Sequence, residues 1–378
     1  MHSVMPTNDQ AEGCVLRTTP HPLHVELERI ASLAKQDWLS LTDATILLTG
    51  GTGFFGTWLV HAFSYANRLF DLKASLHVLS RNPARFLGEH PRIAQDPSIR
   101  FLTGDVRSFT IDDVPLTHVI HGAAATSGPV AEGDPEEMYS VIADGTHHVL
   151  KLCRKREIRR CLLLSSGAVY GRQPSDLSHV PEHWMGGPDQ TDSRAAYAEG
   201  KRAAELLAAI YSAQSRVEVP IARCFAFVGP YLPLDAHFAI GNFIGDVLRG
   251  RDVVVKSDGT TRRSYMHAAD LVVWLLAILA RGTAGRPYNV GSDQDVSVRE
   301  AAEAVIQAAQ LLWPRRQTGR LLVQTPPAHG RTVSRYVPNC DRAKHELALL
   351  PIIPLPEAIR MTLRFYAEIP TAYSFTER

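Results

Sequence analysis

The chain has 378 residues, with 40 Lys and Arg against 39 Asp and Glu, for a formal net charge of +1. That balance excludes nucleic-acid binding through bulk positive charge, so no nucleic-acid partner is expected. Hydrophobic residues at 45% and charged residues at 21% describe a folded chain, long enough for two domains or one with an elaborated lobe.

Residues 1–22 lack periodicity and read as a tail with no apolar signal-peptide core. Val25, Leu27, Ile30, Leu33 and Ala34 recur at helical spacing and predict an accessory helix from His24 to Trp38, completing an N-terminal region over 1–43. The short apolar run Ala44 to Thr49 ends at glycines and predicts a buried strand, followed by a helix from Thr57 to Phe70. Further strands are predicted at Ser75 to Ser80, Ile99 to Thr103, His118 to His121, Arg160 to Ser165 and Val219 to Arg223. Long helices are predicted from about Glu136 to Lys155 and from Tyr197 to Gln214. This alternation implies an α/β chain with a doubly wound parallel sheet over 44–223. After Arg223 the loops lengthen and prolines cluster, which predicts a smaller substrate lobe over 224–378. The apolar run Leu271 to Ala280 reaches about half of the ~20 residues that span a bilayer, so it reads as a core helix and no membrane partner is expected. Five scattered cysteines without a C-x-x-C pair suit a reduced, cytoplasmic protein with no disulfide framework and no metal site.

The first strand runs into Thr49-Gly50-Gly51-Thr52-Gly53-Phe54-Phe55-Gly56 and then a helix. Gly50 permits a tight turn, Gly53 lets the backbone approach a pyrophosphate, and Gly56 lets helix and strand pack closely. A strand before and a helix after make this the context of a dinucleotide-binding Rossmann fold, with Phe54 and Phe55 at the helix start. The second strand ends in Ser80-Arg81, where an NAD site usually carries an acid for the ribose. A Ser-Arg pair suits a 2′-phosphate, so NADP is favoured over NAD; the other reading makes Arg81 a solvated loop cation. Asp105 and Val106 would lie beside the adenine, and Ala123 and Ala124 would line the cofactor. Tyr197 and Lys201 stand one helical turn apart, so the cation can stabilise the phenolate and make Tyr197 a base. They follow the serine-rich strand end Leu164-Ser165-Ser166-Gly167-Ala168-Val169-Tyr170-Gly171, where a hydroxyl could polarise a substrate oxygen.

With these motifs, the chain resembles the extended short-chain dehydrogenase/reductases, the NAD(P)-dependent nucleotide-sugar epimerases and dehydratases, over about Thr45 to Tyr366. The resemblance implies a tightly bound NADP or NAD, Ser166 as the catalytic hydroxyl, and Lys201 on the nicotinamide ribose. It places Arg263 on the diphosphate of a nucleotide-diphosphate sugar, with Asp258, Tyr265, His267 and Asp270 in register, and matches Asn289-Val290-Gly291 to the Asn-Val-Gly near the family's C-terminal lobe; segments near 264–292 are expected to return to the Rossmann domain. Family 4,6-dehydratases carry Asp-Glu after the Ser/Thr and the decarboxylases a Glu at the second position, whereas this chain has Gly167 and Ala168. Ala226 replaces an Asn that touches the substrate in many relatives, so a contact shifted to Asn242 is expected. The implied activity is epimerisation by transient oxidation at a sugar hydroxyl, at C4. The alternatives are a dehydratase or decarboxylase with its acid and base elsewhere, at Glu182 or Asp192, an NADPH-dependent keto-sugar reductase, and a non-catalytic dinucleotide sensor. Relatives pair the two long helices across a two-fold axis. Ala203, Ala204, Leu206, Leu207, Ala208 and Ile210 make the second helix apolar on more than one face, which implies a homodimer unless the N-terminal helix covers it.

Overall fold

A computed structural model describes residues 21–111, 114–124, 133–236, 238–316, 318–326 and 333–368, so most of the expected N-terminal tail lies outside the described residues. The main sheet is built from Thr45–Thr49 (β1), Ser75–Ser80 (β2), Ile99–Thr103 (β3), His118–His121 (β4), Arg160–Ser166 (β5), Ile221–Cys224 (β6) and Pro287–Val290 (β7). Every pairing in it is parallel, in the order β7-β6-β5-β4-β1-β2-β3. The middles of β1, β4 and β5 are apolar (Ile46–Leu48, Val119–Ile120 and Cys161–Leu164) because both faces are covered. Alternate residues serve opposite cores: Ile46 and Leu48 of β1 face one, and Leu47 faces the other. Leu162 and Leu164 of β5 likewise oppose Cys161 and Leu163.

Helices Phe54–Leu69 and Ala268–Arg281 cover the first face, and helices Pro135–Lys155 and Ala196–Gln214 cover the second. The accessory helix packs on the first pair, burying Leu23, Leu27 and Ile30. It is not continuous as predicted. A break at Ala34 separates His24–Leu33 from Lys35–Leu39 and turns the second piece so that Trp38 is buried and Asp37 meets Arg281 at 2.8 Å. The helix after the glycines starts one turn before the predicted Thr57, because Gly53 already serves as its N-cap.

β7 closes the sheet beside β6 within the expected return segment. Asn289 in its middle hides the strand pattern, since its side chain is buried and bonded to Tyr170 Oη at 2.7 Å and to the carbonyls of Val180 and Asn339 at 2.9 Å. Beyond the sheet, helices Ala239–Leu248, Val298–Leu312 and Leu355–Glu368 and short strand pairs stand over the strand ends. Asp270 ties this part down: its buried carboxylate accepts the backbone N–H groups of Ile352 and Ile353, both at 2.9 Å. Among the described residues, no helix is long and apolar enough to cross a membrane.

Candidate active site

The winding of the sheet reverses between β1 and β4, and the crevice outside their carboxyl ends is where ligands of such sheets bind. Glycines open it. Gly50 turns at φ +75°, and a Cβ there would lie 2.6 Å from Gly122 O. A Cβ on Gly56 would lie 2.3 Å from Gly50 O. Gly53 is different: its φ is −86°, and the nearest atom to an added Cβ is Gly50 O at 3.5 Å, an ordinary contact. Nothing in the protein's own packing demands glycine at 53, whereas a ligand approaching the backbone does. Gly53 also heads a helix without a side-chain cap, leaving N–H groups and the positive dipole end for an anion. The cradle therefore fits the pyrophosphate of a dinucleotide.

A cavity of about 920 Å³ runs from this cradle to the lobe. Each expected cofactor residue lines it: Gly50, Gly53, Phe54, Phe55, Gly56, Ser80, Arg81, Asp105, Val106, Ala123, Ala124, Tyr197 and Lys201. Phe55 is fixed edge-on against Phe227, with centroids 4.9 Å apart. Ser80 is buried and its Oγ lies 3.4 Å from the Thr52 hydroxyl, while Arg81 is exposed at the cavity edge. Hydrogen bonds from Arg107 hold the Asp105 carboxyl down to about 2, and the same guanidinium reaches Glu137 at 2.6 Å on the Pro135–Lys155 helix. Val106 fits because Gly145 on that helix has no Cβ, which would stand 2.7 Å from Val106 Cγ1. His121 bridges the Thr49 and Thr146 hydroxyls at 2.7 and 3.0 Å, and burial pushes its pKa down to about 3, so it is a neutral strut.

Ser166, Tyr197 and Lys201 meet in this cavity, brought by the end of β5 and the first turns of the Ala196–Gln214 helix. Burial raises the Tyr197 pKa above its ordinary value, and a hydrogen bond with the Ser166 side chain opposes that rise. Lys201 Nζ donates to Leu164 O at 2.7 Å and stands 6.0 Å from the Tyr197 ring centroid. Burial lowers the pKa of Lys201 itself to about 8.

Of the expected substrate residues, Ser166 and Arg263 line the cavity and Asn242 does not. Ala239 and Ile240, on the same helix as Asn242, are among the lining residues. Glu182 is also absent from the lining: it is buried and accepts the Asn289 N–H at 2.9 Å. Asp192 caps a turn and pairs with exposed Arg194 at 2.7 Å. His267 and Asp270 serve the fold, His267 as the cap of the helix that follows it. Sequence reasoning missed Phe225 and Tyr336, whose rings enter the cavity from distant segments. No local motif marks either one. The uncommon Gly167 was the available signal, because an added Cβ there would lie 2.7 Å from the Phe225 ring and 2.8 Å from Tyr336 Oη.

Residues 46–291 match the profile of the NAD dependent epimerase/dehydratase family. The chain is 29% identical to UDP-glucuronic acid decarboxylase 3 of Arabidopsis thaliana, across 83% of this chain and 86% of that protein. In three dimensions it resembles dTDP-glucose 4,6-dehydratase of Bacillus anthracis, solved in complex with NAD, with a TM-score of 0.72, 20% identity and 88% and 99% of the two chains covered. It also resembles UDP-glucose 4-epimerase of Thermotoga maritima, solved with UDP-glucose, with a TM-score of 0.69, 19% identity and 86% and 99% covered.

The two glycines separate fold from binding. Gly56→Ala should lower the melting temperature strongly and cofactor affinity with it, whereas Gly53→Ala should lose only the small stability of an Ala N-cap, below about 1 kcal/mol, and lose cofactor affinity by at least about tenfold. Calorimetry and cofactor titration on both variants check this, and a Gly53→Ala protein with unaltered affinity would refute it. Lys201 gives a second expectation. Its ammonium is penalised in the folded state, with a pKa of about 8, so between there and about 10.4 the unfolded chain binds more protons. Stability therefore rises with pH through that window, by up to about 3 kcal/mol relative to Lys201→Met. Denaturant unfolding of both proteins without cofactor, from neutral to alkaline pH, measures the difference, and parallel curves would contradict the assignment.

Proposed function

Because the chain belongs to the NAD dependent epimerase/dehydratase family, we propose that it is a nucleotide-sugar epimerase that oxidises and then re-reduces one sugar carbon, at C4. One observation carries this reading. Among the described residues that line the cavity, Asp105 is the single carboxylate, and it lies at the β3 end in the grip of Arg107. Loss of water requires an acid and a base at the sugar. Gly167 and Ala168 supply neither, and Glu182 and Asp192 are engaged elsewhere. Epimerisation needs no such pair. Tyr197 takes the proton of the sugar hydroxyl and later returns it, and Ser166 holds the same oxygen. Lys201 steadies the strand end below them through Leu164 O, and Arg263 holds the diphosphate. A nicotinamide bound in the cleft would supply acceptance and return of hydride. The absence of an acid after β2 and the position of Arg81 support NADP as the resident cofactor. The four cysteines among the described residues are buried and free, which agrees with a reducing, cytoplasmic setting.

Decarboxylation is the second reading, favoured by the 29% identity to the Arabidopsis decarboxylase. It shares the first oxidation, and a keto acid with its carbonyl placed β to the carboxylate loses carbon dioxide without help from a protein carboxylate. Product mass decides. The denatured protein should release NADP, and a panel of UDP-, dTDP-, GDP- and CDP-sugars that includes UDP-glucuronate should yield an isomer of unchanged mass. Loss of carbon dioxide would replace epimerase by decarboxylase, loss of water by dehydratase, and net consumption of added NADPH by reductase. Tyr197→Phe should keep the cofactor and lose on the order of 10²–10⁴ in turnover.

The assembly reading is a homodimer. Leu206 is 63% and Ile210 38% exposed on the Ala196–Gln214 helix, and Tyr139 of the neighbouring long helix is 43% exposed. The accessory helix packs on the opposite side of the sheet and leaves them uncovered. Light scattering should give twice the chain mass at micromolar concentration, and Leu206→Glu with Ile210→Glu should give a monomer; a monomeric wild type ends this reading.

A further inference from the structure

Three hydroxyl groups converge at the end of β5: those of Ser166, Tyr197 and Tyr336. Tyr336 arrives from strand Arg335–Tyr336, which pairs in parallel with Arg262–Ser264 and sets Tyr336 opposite Arg263. Its phenol oxygen lies 3.5 Å from Ser166 Oγ. That is long for an O–H···O bond, as catalytic contacts often are before substrate tightens them. The ring is clamped, with Phe225 at 4.7 Å between centroids and the Arg263 guanidinium over its face at 5.5 Å. Gly167 makes room for it, because a side chain at 167 would enter the space of the phenol oxygen.

A serine hydroxyl has one proton and two lone pairs. One lone pair of Ser166 accepts the Ala168 N–H at 3.2 Å. Burial holds the Tyr336 phenol well above its ordinary range, so it keeps its own proton and can give it to Ser166. With both lone pairs filled, the Ser166 proton is left for the third hydroxyl of the group, that of Tyr197, which lines the same cavity and whose ionised form the Ser166 side chain favours.

We propose that Tyr336 is a positioning residue which donates to Ser166 and thereby directs the Ser166 proton onto the Tyr197 oxygen. It stabilises the Tyr197 phenolate through Ser166 and does not itself exchange a proton with substrate. This rests on the reading of Tyr197 as the base. The other groups around Tyr197 and Tyr336 are Lys201 on the same helix, Cys224 at the end of β6, and Arg263 behind Tyr336. Burial raises the Cys224 thiol to about 12, so it stays neutral. Tyr336→Phe keeps the ring, its clamp and both cations, and removes one donated proton.

The test reads the ionisation of Tyr197 without any sugar. Full-length protein loaded with its cofactor is labelled with fluorotyrosine and followed by fluorine NMR across pH, with the Tyr197 resonance assigned by its loss in Tyr197→Phe. In Tyr336→Phe the Tyr197 titration should move upward by about half to one pH unit, the equivalent of one hydrogen bond to the phenolate. Gly167→Ala, which displaces the phenol without removing it, should move it in the same direction and serves where Tyr336→Phe fails to fold. A Tyr336→Phe titration that overlays wild type, with cofactor still bound, overturns the proposal. Because no turnover enters the measurement, a protein inactive on every sugar would sink the epimerase reading and leave this result intact.

Discussion

The end of β1, the start of the next helix and the end of β4 come closer together than any side chain permits, and the site depends on that approach. A Cβ on Gly50 or Gly56 would stand 2.6 or 2.3 Å from a backbone oxygen, so glycine there is a packing requirement of the crevice. Gly122 belongs to the same junction, since an added Cβ would meet Leu164 Cδ1 at 2.8 Å and Thr49 O at 3.2 Å. The helix that begins at Phe54 is thereby aimed at the crevice, and its uncapped N–H groups are presented to whatever enters. Gly53 alone in this group is spared by its neighbours, which separates the part of the motif that serves the fold from the part that serves a ligand.

Around that junction burial disfavours charge on two titratable side chains. Lys201 is an ammonium in a fully buried position whose near partner is the neutral Leu164 carbonyl, and burial takes its pKa down to about 8. Tyr197 is pushed the other way by the same burial. Both shifts disfavour the charged forms, which is the expected state of a site before a charged ligand occupies it. The surrounding polar structure is well paired. Glu205 receives Ser165 Oγ at 2.5 Å and Arg223 at 2.6 Å, and Arg223 also donates to Tyr170 Oη at 2.8 Å. This set braces the end of β5 next to Ser166, so Ser166 is held by the strand beneath it.

The lobe contributes what the sheet cannot. Arg263 and Tyr336 are adjacent in register on one short sheet, and together they bound the lobe end of the cavity. Their placement depends on remote attachments. The Asp270 carboxylate holds Ile352 and Ile353, and Tyr366 Oη donates to Leu232 O at 2.6 Å, which docks the last helix against the loop that lines the cavity. Residues matching a substrate pattern in the sequence are thus divided: Arg263 and Tyr265 face the cavity, while His267 and Asp270 hold the lobe in place.

Periodicity and local chemistry alone determined the parallel sheet, its six N-terminal strands and the glycine turn, because each is written in contiguous residues: β-branched and leucine runs for buried strands, and glycines where the chain must turn. The Tyr197 and Lys201 pair was equally legible, since one helical turn fixes their common face. The tertiary structure decided what depends on residues far apart in the chain. Asn289 reads as a poor strand residue until its partners Tyr170, Val180 and Asn339 are brought to it. Which residues of the helix that carries Asn242 line the cavity is likewise a matter of tertiary placement: Ala239 and Ile240 do. Tyr336 carries no motif at all, and it meets Ser166 across 170 residues of chain because an edge pairing with Arg262–Ser264 puts it there. Glycine spacing and helical turns are short-range constraints and survive in the sequence, whereas the contacts that complete the lobe end of the cavity exist only after non-local pairing closes the lobe.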